Sequence, residues 1–113
     1  DLYYSLGLLL AEQQKYTEAV EFLKIALEQM PDRIRIHFNL GLIYQHLGEN
    51  SKAESVLMKG LSVQPEDFDL LFALADFYLK TNQFEKAKPI AEKLKIRYPE
   101  NSIGQDLLNV IQQ

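Results

Sequence analysis

Apolar residues recur at helical spacing along the whole chain, in paired blocks such as Leu40, Ile43, Tyr44 and Leu47 followed by Ala53, Val56, Leu57 and Leu61. The break between those two blocks contains Gly48, which suits the left-handed conformation that ends a helix. Ser51 opens the next block with Glu54 three residues on, the pattern of a capping box, and Thr17 takes the same place in the first pair. Pro31, Pro65 and Pro99 each follow a second block and stop it, because proline lacks the N–H and disfavours helical geometry in the residue before it. The pattern predicts seven helices, over residues 2–13, 17–29, 35–47, 51–63, 69–81, 85–97 and 102–112. The first begins at Asp1 without a Met and without a capping residue ahead of it, which reads as a segment of a longer polypeptide.

The prolines are 34 residues apart, and other residues keep the same step. Leu6, Leu40 and Leu74 form one column; Gly7, Gly41 and Ala75 the next; then come Leu10, Tyr44 and Tyr78. Further columns are Ala19, Ala53, Ala87; Leu23, Leu57, Ala91; and Ala26, Gly60, Leu94. Small residues recur where two helices must approach closely, and larger ones fill the space between. After Pro99 only half a unit remains. There Ile103, Leu107, Leu108 and Ile111 alternate with Gln105, Asp106, Asn109, Gln112 and Gln113, as expected of a helix that covers the last repeat and faces water. Pro89 falls inside the sixth helix, on the side opposite Ala87, so its ring is expected in solvent.

Composition narrows the function. Twelve basic against sixteen acidic residues leave a net charge of −4, without the basic cluster that nucleic acid or an anionic membrane surface requires. No apolar run has the length of a membrane span. The absence of cysteine removes disulfides, thiol catalysis and thiolate metal sites. The two histidines, His37 and His46, sit on opposite sides of one helix and cannot share a metal or a proton. His37 is expected to pack and His46 to interact with a helix end. No Ser/His/Asp set, phosphate-binding glycine loop or HExxH sequence is present, so neither catalysis nor a cofactor is expected.

The columns resemble the tetratricopeptide repeat family. Leu6-Gly7, Ala19, Ala26 and Pro31 match in the first unit; Leu40-Gly41, Tyr44, Gly48, Ala53 and Pro65 in the second; Leu74-Ala75, Tyr78, Ala87 and Pro99 in the third. Departures are Tyr3, His37 and Leu71 in the family's tryptophan column, and Asn50 where Tyr16 and Phe84 are aromatic. The resemblance implies an all-α superhelix forming one domain, with repeats near 1–33, 34–67 and 68–101 and a capping helix at 102–112. It also implies a protein- or peptide-binding groove lined by the first helix of each unit.

In that groove the resemblance places the aromatic column Tyr4, Phe38, Phe72, then Leu8, Leu42, Asp76, then Gln45 and Leu79, with Arg35 and Asp69 at the front and Asn39 alongside. The inward stripe of Leu40, Tyr44, Leu74 and Tyr78 is complete without these residues, so an apolar strip there points to a ligand with aromatic or aliphatic anchors. Positive charge on that ligand would suit Asp69 and Asp76. The family's carboxylate clamp for chaperone tails needs cations and asparagines in columns that here hold Tyr4, Leu8, Asn39, Asp69 and Ala73. Only Asn39 fits, so binding of that kind is not expected. The alternative role is a spacer, or a homo-oligomerisation segment acting through the first helix.

Overall fold

The computed structural model describes all residues, 1–113. It contains seven helices and no strand: α1 (Leu2–Glu12), α2 (Tyr16–Gln29), α3 (Ile34–His46), α4 (Asn50–Val63), α5 (Phe68–Lys80), α6 (Phe84–Arg97) and α7 (Ile103–Ile111). Each predicted boundary is met to within a residue. α2, α4 and α6 all end two residues before their prolines. The chain forms two compact units, residues 1–63 with α1–α4 and residues 64–113 with α5–α7.

The turn inside each hairpin is the most regular local feature. At Gln14, Gly48 and Asn82, again 34 residues apart, the backbone adopts φ of 62°, 73° and 59°. The residue after each donates its N–H six-to-one across the turn, Lys15 to Leu10, Glu49 to Tyr44 and Gln83 to Tyr78, at 2.7–2.9 Å. These are Schellman closures, which satisfy the last carbonyls of the first helix. Glycine at position 48 takes the conformation without strain, asparagine tolerates it, and glutamine adopts it at a cost.

Two expectations about helix starts are corrected. α4 begins at Asn50, so Ser51 lies inside its first turn rather than at a capping position; Thr17 likewise lies inside α2, which starts at Tyr16 behind an uncapped Lys15. The six-to-one turn advances the chain into helix one residue early, which displaces the hydroxyl from the cap. α1, read as uncapped, is capped by Asp1 itself, whose Oδ1 accepts the Tyr4 N–H at 3.1 Å. Asp67 caps α5 in the same way through the Leu70 N–H at 3.0 Å.

Within the first unit the core consists of Ala19, Leu23, Ala26, Ile36, Leu40, Ala53 and Leu57, all essentially sealed from solvent. The glycine column is sterically required there. A Cβ on Gly7 would lie 2.6 Å from Leu23 Cγ, and one on Gly41 would lie 2.5 Å from Leu57 Cδ2. His37 is the one buried polar residue, with Nδ1 donating to the Arg33 carbonyl at 3.2 Å. Burial holds its pKa below the usual 6.5, against the opposing pull of that hydrogen bond and of Asp32.

The second unit buries Leu70, Leu71, Leu74, Ala75, Ala87, Ala91 and Leu94. α7 closes it over α6 through Leu107 and Leu108. The approach is close at Gly104, where a Cβ would meet the Lys95 backbone nitrogen at 2.4 Å. The start of the unit is tied to the end of α6: Tyr98 donates its hydroxyl proton to the Glu66 carbonyl, and Arg97 Nε meets Glu66 Oε1 at 2.8 Å. The Phe68 ring meets Tyr98 edge-on at 5.2 Å. α6 runs unbroken through Pro89, whose ring is exposed as expected.

Candidate peptide-binding surfaces

In the first unit the candidate residues come from α1 and α3. Helical spacing sets Tyr4 and Leu8 one turn apart on α1, and Phe38, Leu42 and Gln45 along α3. The two helices are joined at this surface by Asn39, whose amide donates to Tyr4 Oη at 3.1 Å and to the Arg35 carbonyl at 2.9 Å. Both amide protons are thereby used inside the protein. Tyr4, Leu8, Phe38, Asn39 and Gln45 are half-buried, Arg35 is exposed, and Leu42 is 36% exposed. Gln45 Nε2 is buried without a protein acceptor.

Two guanidinium groups stand over the aromatic residues of this surface. Arg33 lies 4.6 Å from the centre of the Tyr4 ring and Arg35 lies 4.4 Å from that of Phe38. Such stacking is worth ~0.5–1 kcal/mol at exposed sites and covers one face of each ring. Arg33 was not among the sequence candidates. It precedes α3, outside any helical period, and nothing in the spacing aims it at Tyr4. At the far end of α3 the exposed His46 ring lies flat on Tyr16, with centroids 4.7 Å apart and planes 4° from parallel.

In the second unit the candidates lie on α5. Phe72 is 36% exposed and Asp69 is exposed, while Asp76 and Leu79 are half-buried. Phe72 stacks on Phe68 at 6.4 Å. Phe68 was overlooked, although its place four residues before Phe72 on one helix is the signal that would have found it. Asp76 pairs with Lys80 at 2.7 Å, which reduces the negative charge available to a ligand. Ala73, in a clamp column, is buried.

No group of three or more His, Asp or Glu residues is placed to hold a metal ion. No helix is long and apolar enough to cross a membrane.

The tetratricopeptide repeat family model matches residues 1–66, and a second tetratricopeptide repeat model matches residues 56–88; the chain belongs to that family. It is 29% identical over 105 residues to the Caenorhabditis elegans tetratricopeptide repeat-containing protein trd-1, covering 92% of this chain and 14% of that protein. It is also 29% identical over 110 residues to the Saccharomyces cerevisiae anaphase-promoting complex subunit CDC16, covering 91% of this chain and 13% of that protein. The chain therefore spans about one seventh of the length of these curated relatives. Among solved structures, a tetratricopeptide repeat protein from Parabacteroides merdae superposes with a TM-score of 0.91 at 22% identity, covering 98% of this chain and 43% of that one. The first such domain of Spaghetti (RPAP3), bound to the HSP90 peptide SRMEEVD, superposes with a TM-score of 0.87 at 20% identity, covering 99% of this chain and 89% of that one. At these identities the structures speak for the fold alone.

Proposed function

We propose that this tetratricopeptide repeat chain is a non-catalytic scaffold that holds a protein or peptide segment on the first-helix surfaces of its repeats. The observation that carries this reading is in α3. Its core contacts are made by Ile36, His37, Leu40, Gly41, Ile43 and Tyr44, all buried, and the helix still presents Phe38 and Leu42 on another face. Apolar side chains beyond what the core needs mark a binding surface. Tyr4, Leu8, Phe38 and Leu42 supply the anchors in the first unit, with Arg35 setting register and Asn39 and Gln45 alongside. Phe72, Leu79, Asp69 and Asp76 do the same on α5.

The ligand is not the acidic tail taken by a carboxylate clamp. Asn39 spends both amide protons on Tyr4 and Arg35, and Asp69 stands where a cation is needed. A peptide ending in Glu-Glu-Val-Asp should give no calorimetric signal at about 100 μM, since charge-assisted bonds to its carboxylates are missing. A clear signal that disappears in Asn39→Ala would reverse this assignment.

The test of the main reading selects peptides from a display library on the immobilised chain and measures their affinity for Phe38→Ala and Leu42→Lys. Loss of at least about tenfold in affinity, with urea unfolding curves little changed, is expected of exposed anchors. Selected peptides that bind both variants as well as the wild type would place binding elsewhere. A second reading, a spacer or self-associating segment, is favoured by the exposed Leu2 and Leu9 of α1. Sedimentation over a concentration series separates the two, since a binding module stays monomeric.

A further inference from the structure

α1 and α3 are the two first-type helices of the first unit, and their equivalent columns are treated differently. Leu2 is 70% exposed, whereas Ile36 in the same column is fully buried; Leu9 is 50% exposed, whereas Ile43 is 4% exposed. Leu6 and Leu10 are half-buried, whereas Leu40 and Tyr44 are buried. The sequence therefore supplies the same apolar face twice.

The cause of the difference is the number of neighbours. α3 is packed between α2 and α4, whereas α1 packs on α2 alone. On α3 the covering helix is identifiable: Leu27 and Lys24 of α2 line one cavity with Leu40 and Tyr44, and Val20 and Lys24 line another with Tyr44 and Leu47. The face of α1 repeats the surface that α2 covers on α3.

We propose that the Leu2, Leu6, Leu9 and Leu10 face of α1 is the seat of a further second-type helix of the same polypeptide, lying ahead of α1 in the sequence. That helix has the α2 pattern, apolar at two positions seven residues apart, as at Val20 and Leu27, with a long basic stem between them, as at Lys24. The two arrangements open to a second copy fit less well. Head-to-tail stacking would seat α1 of one copy on α6 of another, where α7 already packs through Gly104, Leu107 and Leu108. Pairing of two α1 faces offers only a few hundred Å² per copy, against about 800 Å² per partner in a stable complex. A helix in the same chain needs no such area, because it loses no translational freedom on docking. The relatives, about seven times longer than this chain, leave ample length for it.

The chain has no cysteine, so a single thiol reports cleanly. Leu9→Cys is made in residues 1–113 and in the polypeptide as its gene encodes it, and both are labelled with a bulky maleimide. In residues 1–113 the thiol is expected to react nearly as fast as in the urea-unfolded chain. In the encoded polypeptide the reaction is expected to slow about tenfold or more, as required of a thiol exposed only by local opening. Equal rates in the two proteins overturn the proposal. So does slowing within residues 1–113 that grows with concentration, which would assign the face to a second copy. Circular dichroism of both variants confirms that the exposed substitution leaves the fold intact.

Discussion

Where α3 crosses α4, Gly41 faces Leu57 so closely that a single added carbon would sit 2.5 Å from the leucine. Where α5 crosses α6, the same two columns hold Ala75 and Ala91, both fully buried. One hairpin places all its side-chain volume on the second helix, and the other divides it between both. The two columns are therefore coupled: the small residue is set by what the opposing helix brings, not by the turn of its own helix. A leucine permits only glycine opposite it, whereas an alanine permits alanine. Gly7 with Leu23 repeats the α3/α4 solution, so the α5/α6 hairpin is the exception.

Removing the large partner has the largest expected effect. Leu57→Ala should cost ~2–5 kcal/mol in urea unfolding, because Leu57 is fully buried and leaves a cavity. Gly41→Ala alone should cost ~1–3 kcal/mol through overpacking. The double variant recreates the alanine pair of α5/α6 and should lose less than the sum of the singles. Strict additivity would show that the columns are independent.

The converse exchange in the second unit tests the same idea from the other side. Ala91→Leu should destabilise by ~1–3 kcal/mol, since the leucine meets the Cβ of Ala75. Adding Ala75→Gly should recover part of the loss, with a coupling of ~0.5–3 kcal/mol between neighbours. No recovery would mean that the α5/α6 helices have closed to a spacing that glycine and leucine cannot share.

A third difference between the hairpins lies at the start of their first helices, where α3 buries His37 and α5 buries Leu71 in the same column. Burial lowers the His37 pKa below 6.5, so the unfolded chain takes up a proton at a pH where the folded protein does not. This contribution to stability is complete above about pH 6.5, falls as pH drops below it, and levels off under the lowered native value. The urea midpoint should decline from pH 7.5 to 5.5 in the wild type, and the part due to His37 should vanish in His37→Leu, which copies the α5 arrangement. An identical pH dependence in the two proteins would remove His37 as the cause.

The seven helices were legible in the sequence because the proline spacing and the apolar columns agreed with each other. The starts of α2 and α4 were misplaced because Ser51 and Thr17 look like caps. The local pattern did not show that a six-to-one turn at Gln14 or Gly48 begins the helix one residue sooner. Gly48 announced that turn; Gln14 did not, since glutamine has no particular preference for positive φ. At the candidate surfaces the sequence gathered Tyr4 and Phe38 by their shared column, but it could not reveal that arginines cover both rings. Arg33 reaches Tyr4 across a difference of 29 residues, a contact that depends on how α1 and α3 pack. Asn39, matched to a clamp position by its column, is instead committed to Tyr4 for the same reason.

The smallest expected effect concerns those rings, and again the two hairpins differ. On the α1/α3 surface the aromatic faces are covered by guanidinium groups, whereas on α5 Phe72 is covered by Phe68. Arg33→Gln removes the cation over Tyr4 but keeps a polar side chain, and its only printed polar contact is a weak one to Met30 Sδ at 3.6 Å. It should change stability by no more than ~0.5–1 kcal/mol, the worth of an exposed cation–π contact. Much of that should disappear at high salt if the contact is largely electrostatic, since exposed charges are screened over ~10 Å at 0.1 M. The counterpart, Phe68→Leu on α5, exchanges one apolar cover for another, and its effect should not depend on salt. Equal salt dependence in the two variants would mean that the arginines contribute through their methylene stems, as packing groups, and that the α3 surface is covered in the same manner as that of α5.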